Sequence, residues 1–442
     1  MSSEQHESNF AAQTWFYIPL ALQAISQSLT YPLIAAIVSA HPGNGLFQYA
    51  ATVQGHIVMF VLGALGYGLV TTGMIFAKDR LGLRRFKAVN LLILLVICVL
   101  QASVAIPRVD CFFFTTLLGL PPEMTPIARN TALLLIPAQI LFTLRNIPSV
   151  LLFNAKLTGR ANAATLIRLV VIFIQIPIYL HYGWTGYLPG TFAFLIALVC
   201  EWAAVCWFAR GLVEKLPRLI TRRSTVREQF YFTLPLSLGG TLLMTSAFMV
   251  SAFISRTANP EIMLSVHALA IGILNPVSYA ALRLQAVVLA FPPESPRDFR
   301  TLRFAFVTGL VLAMIPLTFA LVPGIPQWYF GTVQHLPNEY IRLAQVALLI
   351  VACQPVIQAL RAHAEGLAAF KKRPAAILAG QAMYLAVLLM ALFVQSALKI
   401  PGYRMGVTAL LLAIAMTLVT IRLALFWTEQ EQTLEPHESN HL

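Results

Sequence analysis

Apolar stretches of roughly 20 residues, the length that crosses a bilayer as a helix, recur from end to end of the chain and are separated by short polar connections. The pattern predicts twelve membrane-spanning helices, over 11–39, 48–76, 88–105, 126–153, 163–181 and 186–208, then 229–254, 262–291, 302–321, 338–369, 374–398 and 406–426. In hydrocarbon every backbone N–H and C=O must find its partner internally, so the fold class expected is an all-α membrane protein. The organisation read from the pattern is a polar segment (1–10), a six-helix bundle (11–209), a basic linker (210–228), a second six-helix bundle (229–427) and a polar, acidic tail (428–442).

Charge orients these spans. Hydrophobic residues make up 58% of the chain and charged ones only 11%, so a net charge of +13 is carried by few side chains. They fall in alternate loops: Lys78, Arg80, Arg84, Arg85 and Lys87; Lys156 and Arg160; Arg210, Lys215, Arg218, Arg222, Arg223 and Arg227; Arg297 and Arg300; Lys371, Lys372 and Arg373. That alternation predicts both termini in the cytoplasm and argues for topology rather than nucleic-acid binding. The first residues are polar and acidic and do not read as a signal peptide. Cys98, Cys200, Cys206 and Cys353 lie in apolar runs and Cys111 in a loop, a distribution that predicts neither disulfide nor zinc site. Short loops and the lack of an N-x-S/T sequon lean towards a bacterial inner membrane.

A constant shift of 216 positions aligns the two halves without gaps. It pairs Gln13 with Gln229, Pro19 with Pro235, Arg84 with Arg300, Glu123 with Glu339, Arg145 with Arg361 and Lys156 with Lys372. With six spans in each half, the duplication predicts a parallel 6+6 repeat about an axis along the membrane normal.

Ile18-Pro19-Leu20, Leu234-Pro235-Leu236 and the run Leu118 to Glu123 before the fourth span resemble the flippase superfamily that holds multidrug and toxic compound extrusion (MATE) transporters and polysaccharide-lipid exporters. Asn275-Pro276-Val277, Ala286-Val287 with Ala290-Phe291, and Arg361-Ala362-His363 followed by Gly366 and Lys371-Lys372 are most similar to its progressive ankylosis family. The resemblance implies a secondary exporter with two six-helix bundles around a V-shaped cavity, and its ankylosis-like members are associated with efflux of pyrophosphate, nucleotide or citrate. One departure matters: the first span carries Gln23, Ser26, Gln27, Ser28 and Thr30 but no carboxylate for cation coupling.

Intramembrane charges are the default functional candidates because they are costly to keep there. Arg145 precedes Asn154 by nine residues, which places it about 13 Å inside the boundary of its span. Arg361 has the equivalent depth, and Arg283 a similar one. As planar donor forks these arginines suit a carboxylate or phosphate, and Asn275 and Gln27 join them as candidate substrate contacts. The blander reading for Arg361 is a pair with Glu365 one turn away, whereas Arg145 has no acid at such spacing. Candidate proton or ion-coupling groups are Glu201, Glu365, His363 and His267; for Glu201 a structural role beside Arg145 or Arg168 is the stronger expectation, and for the histidines an interhelical hydrogen bond. Gln23, Gln54, His56 and Gln354 are further polar spots in the spans, and Pro19, Pro32, Pro137, Pro235, Pro276 and Pro355 are expected to interrupt their helices. Two aromatic-rich segments, 111–120 and 327–336, read as interfacial loops.

No phosphate-binding loop, H-E-x-x-H or G-x-S-x-G motif occurs, so a membrane enzyme or non-transporting scaffold is the weaker class. The leading expectation is a secondary active exporter of small organic anions or phosphates working by alternating access as a monomer, with no cofactor beyond H+ or Na+ as coupling ion. Flipping of an anionic lipid-linked intermediate is the first alternative, and MATE-type efflux of cationic drugs the second.

Overall fold

A computed structural model describes residues 3–218, 224–295, 298–371 and 373–434, so that Arg222, Arg223, Arg297, Lys372 and residues 435–442 of the acidic tail lie outside the described residues. Among the described residues the regular structure is entirely helical. Eleven helical segments are long and apolar enough to cross a membrane: α1 (Phe10–Ser39), α2 (Gly45–Phe76), α3 (Arg80–Ala105), α4 (Thr125–Asn154), α5 (Thr158–His181), α6 (Tyr187–Lys215), α8 (Pro260–Ala290), α9 (Arg300–Leu321), α10 (Asn338–Phe370), α11 (Ala375–Ala397) and α12 (Gly402–Phe426). The twelfth expected span is the continuous helix α7 (Val226–Ile254), of which Met244–Ile254 qualifies only as a shorter apolar helix. Its start is fixed by a capping box, in which the Thr225 hydroxyl accepts from the Glu228 amide while the Glu228 carboxylate accepts from the Thr225 amide. Asp79 caps α3 in the same spirit, accepting from the amide of Gly82 at 2.5 Å.

The duplication is written into the backbone. Cys111–Leu117 and Gln327–Val333 are both π-helical, and the 216-residue shift carries one onto the other. These segments were expected as loops; each is instead a wide helical turn continuing towards the next span. The same shift relates the left-handed backbone positions Gly43 and Asn259, Gly119 and His335, and Gly183 and Lys399. It also relates the turn at Tyr67 inside α2 to the turn at Arg283 inside α8. The repeat thus preserves conformation even where the residue type has changed.

Prolines divide into two groups. Pro32, Pro137 and Pro355 follow breaks at Leu29, Leu135 and Ala352-Cys353, where the ring would collide with the carbonyl four residues earlier and its missing N–H leaves a carbonyl unserved. Pro19, Pro235 and Pro276 lie inside uninterrupted helices, contrary to expectation.

The backbone contacts define two units. One comprises Met1–Ser28, Leu269–Phe330 and Asn338–Leu442, the other Leu29–Ala268 and Gly331–Pro337, a division that follows a different line from the 210–228 linker. In the second unit α3 shows how the bilayer inverts surface logic. Phe86, Val89, Ile93 and Ile97 are at most 7% exposed and pack with Leu69, Val150 and Leu151, while Leu91, Leu95 and Val99, one turn apart on the opposite face, are 51–61% exposed to lipid. In the first unit, Ala364, Ala368 and Ala376 pack with Ile421 and Leu425 of α12, the small side chains allowing close approach.

Gly119 follows the first π-helical turn with φ +67°, and a Cβ there would lie 2.9 Å from the Arg256 guanidinium carbon. That guanidinium caps the turn, donating to the carbonyls of Thr116, Leu117 and Leu118. Gly119→Ala is therefore expected to cost about 1–2 kcal/mol from the left-handed backbone, before any displacement of Arg256. His335→Gly, at the matching position, should be neutral or stabilising; thermal unfolding of both detergent-purified variants checks the contrast.

Candidate functional site

Within the second unit, three helices bring charges from distant parts of the sequence to one point. Glu201 of α6 is 1% exposed and accepts from Arg145 Nη1 of α4 at 2.6 Å, from Arg168 Nη1 of α5 at 3.0 Å, and from the Thr165 hydroxyl at 3.0 Å. Thr165 and Arg168 are three apart on α5 and so present to the same side, as do Phe142 and Arg145 on α4. Two cations share one carboxylate, leaving the triad with one net positive charge.

The three members are not equally enclosed. The side chains of Arg168 and Glu201 are 4% and 1% exposed, whereas that of Arg145 is 24% exposed. Arg145 uses one guanidinium nitrogen on Glu201 and lies over the Phe142 ring at 5.4 Å. Among the described residues its remaining donors have no protein partner, so it is the open end of an otherwise closed network.

An aromatic wall adjoins the triad. Tyr31 of α1 lies close enough to Arg168 to act on it electrostatically and packs edge-on against Phe60 at 5.2 Å and the His56 ring at 6.0 Å. Phe194, fully buried on α6, meets Tyr31, His56 and Phe142 within 6.0 Å. His56 donates Nδ1–H to the Thr52 carbonyl at 3.0 Å, while its Nε2 is buried with no partner among the described residues. The amide of Gln54 is likewise buried without one.

The first unit builds a different arrangement around Arg361. Its Nε donates to Glu365 Oε1 at 2.8 Å one turn along α10, the local pair anticipated from the spacing, and the guanidinium lies 5.8 Å from the Tyr384 ring. His363, on the intervening face, bonds Thr301 through Nε2 at 3.1 Å and faces Arg422 Nη2 through Nδ1 at 3.0 Å. A guanidinium only donates, so Nδ1 accepts and the ring proton resides on Nε2.

The sequence candidates thus separate. Arg145 and Glu201 meet in one unit, and Arg361 and Glu365 in the other, the pairings that the sequence offered as the structural alternatives for these groups. Arg283 occupies the break in α8, half-buried, with no ion pair among the described residues, and Asn275 is half-buried with no side-chain hydrogen bond among them. Gln27 is exposed, and among the described residues neither Asn275 nor Arg283 has a hydrogen bond or ion pair to the charged groups. His267 is half-buried with Nδ1 unpartnered among the described residues. Sequence reasoning missed Thr165, Tyr31, Phe142, Thr301 and Arg422 as participants. The three-residue spacing from Thr165 to Arg168 and the position of Arg422 inside the last apolar span were the signals available for them.

No protein-family model matches the sequence, and no curated protein matches it. Solved structures do match in fold. An inward-facing multidrug resistance MATE family transporter of the MOP superfamily gives a TM-score of 0.63 at 15% identity over 94% of this chain and 96% of the other. The lipid II flippase MurJ, in an inward closed conformation, gives 0.65 at 14% identity over 94% and 87%. A MOP superfamily transporter from Pyrococcus furiosus, described as having a binding pocket of reverse polarity, gives 0.55 at 15% identity over 96% of each. The chain has a MATE-like fold.

Removing the shared carboxylate is the sharpest structural probe of the triad. Glu201→Gln leaves the buried Arg168 and the partly exposed Arg145 with no counter-charge and is expected to cost about 3–5 kcal/mol. Arg145→Gln leaves the Arg168–Glu201 pair intact and should fall well short of that loss. Thermal unfolding in detergent, read side by side, distinguishes them; equal effects would mean that Arg145 is as structural as its partners.

Proposed function

We propose that this chain is a secondary active transporter that moves an anionic substrate by alternating access, with Arg145 as a substrate contact. The observation that carries the reading is the triad's composition: one carboxylate cannot neutralise two guanidiniums, and the surplus positive charge is expressed at the one member that is partly exposed. A planar fork with free donors, backed by low-dielectric walls, binds carboxylate or phosphate oxygens strongly. The all-helical fold, its duplication and its likeness to MATE-type transporters support transport over catalysis. The short motifs of the second half support placement near the progressive ankylosis family, whose small anionic substrates agree with the charge of the site.

Glu201 is held by three donors and serves to orient the arginines. Arg361 is paired within its own helix and is the weaker substrate contact. Proton or sodium coupling is assigned to neither with a specific step. The basic loops support termini in the cytoplasm, and the composition agrees with a bacterial inner membrane.

A second reading shares the same chemistry. The fold likeness to a lipid II flippase supports a substrate whose anionic headgroup reaches Arg145 while its tail remains in lipid.

Counterflow in proteoliposomes over citrate, pyrophosphate, nucleotides and a lipid-linked diphosphate tests both. At least one anion should exchange, and Arg145→Gln should reduce that exchange about tenfold or more, the effect of losing a charge-assisted hydrogen bond, while Arg145→Lys retains part of it. Exchange only of the lipid-linked substrate selects the second reading. Exchange of cations alone, or an unaffected Arg145→Gln variant, overturns the anion assignment.

A further inference from the structure

The first unit carries a feature that the triad does not explain. Helices α9, α10 and α12 line an open groove of about 590 Å3 whose walls are apolar, including Leu302, Phe306, Leu418 and Leu423, yet which also holds two arginines, Arg303 and Arg422. No acid lines it. The neighbouring carboxylates Glu294 and Asp298 are both engaged by Arg300, and the Arg300 hydrogen bonds hold the Asp298 carboxyl far below its ordinary range, so it stays ionised and paired. Arg303 is exposed and has no ion pair among the described residues.

Depth decides what such a groove receives. Arg303 is three residues inside the start of α9, and Arg422 four residues before Phe426, where the apolar span of α12 ends although its helix runs on to Leu434, each about 5–6 Å along its helix from that edge of the span. Both guanidiniums therefore lie near the same membrane–water boundary, on the side of the basic loops, and the apolar walls continue towards the hydrocarbon. Simple snorkelling would take an arginine outward over a filled surface; here the arginines stand over an open groove. Arg422 is also fixed in direction, because its Nη2 donates to His363 Nδ1 at 3.0 Å and His363 is anchored in turn by Thr301.

We propose that this groove is a binding site for an anionic phospholipid, with the headgroup phosphate between Arg303 and Arg422 and an acyl chain along the leucine and phenylalanine walls. Charge complementarity identifies the occupant. A zwitterionic lipid satisfies the walls equally well but brings its own cation to a place that already holds two, while a soluble anion leaves the apolar groove exposed to headgroup water. Arg422 would then join the lipid to His363 on α10, the helix that carries the Arg361–Glu365 pair.

Native mass spectrometry of the full chain released from detergent, after incubation with equal amounts of phosphatidylglycerol and phosphatidylcholine, tests the assignment. Retained phosphatidylglycerol should exceed phosphatidylcholine by roughly tenfold, the advantage expected of two surface arginines. Arg303→Gln with Arg422→Gln should bring the ratio close to one. Should the double variant fail to fold, Arg303→Gln alone keeps the test, since that side chain is exposed and unpaired, and a partial fall is expected. Leu418→Trp fills the groove and should remove bound lipid without changing charge. Equal retention of the two lipids by the unaltered chain, undiminished phosphatidylglycerol binding after Arg303→Gln or Leu418→Trp, or its displacement by inorganic phosphate at equal concentration would each overturn the proposal. The readout is lipid mass, so it stands or falls apart from transport through Arg145.

Discussion

A carboxylate buried in a membrane protein can remain charged only where its surroundings replace the water it lost, and Glu201 meets that condition with two guanidiniums and a hydroxyl. This constraint locks α4, α5 and α6 to one another at a fixed depth, because sliding any one of them by a turn would strand a charge in apolar surroundings. Packing alone would not do this, since between helices in lipid a leucine contact is little better than a leucine–lipid contact. Ion pairing therefore supplies the register of this bundle. The aromatic side chains of Tyr31, Phe60, Phe142 and Phe194 fill the space beside it.

The duplicated halves solved the same electrostatic problem in different ways. Arg145 and Arg361 are equivalent by the 216-residue shift, but the position equivalent to Glu201 is Thr417, which turns its hydroxyl back to the Ala413 carbonyl at 2.7 Å. The position equivalent to Glu365 is Ser149. One arginine is thus balanced across helices by an acid it must share, the other along its own helix by an acid of its own. The first arrangement leaves a surplus charge and an opening; the second is locally neutral. That asymmetry, more than the arginines themselves, makes the Arg145 side the candidate for substrate and the Arg361 pair a structural element.

Backbone conformation proved more durable through the duplication than residue identity. Glycine at positions 43, 119 and 183 answers the left-handed geometry without cost, while Asn259, His335 and Lys399 adopt it against their side-chain sterics. The turns are held by what surrounds them, as the Arg256 cap on the first π-helical segment illustrates.

Hydropathy, basic-loop alternation and the gapless internal shift by themselves determined the fold class, the number of candidate spans and the repeat, because a bilayer imposes helix length and apolarity residue by residue. Local pairing was legible for the same reason: Arg361 and Glu365 are one helical turn apart, and spacing along a helix fixes who meets whom. Only the tertiary structure decided the partners of Arg145, whose acid lies 56 residues away, the relay from Thr301 through His363 to Arg422, and the conversion of two apparent loops into π-helical turns. Those depend on how helices rotate about their axes and which faces they turn inward, and a sequence states a helix's faces without stating which neighbour each one finds.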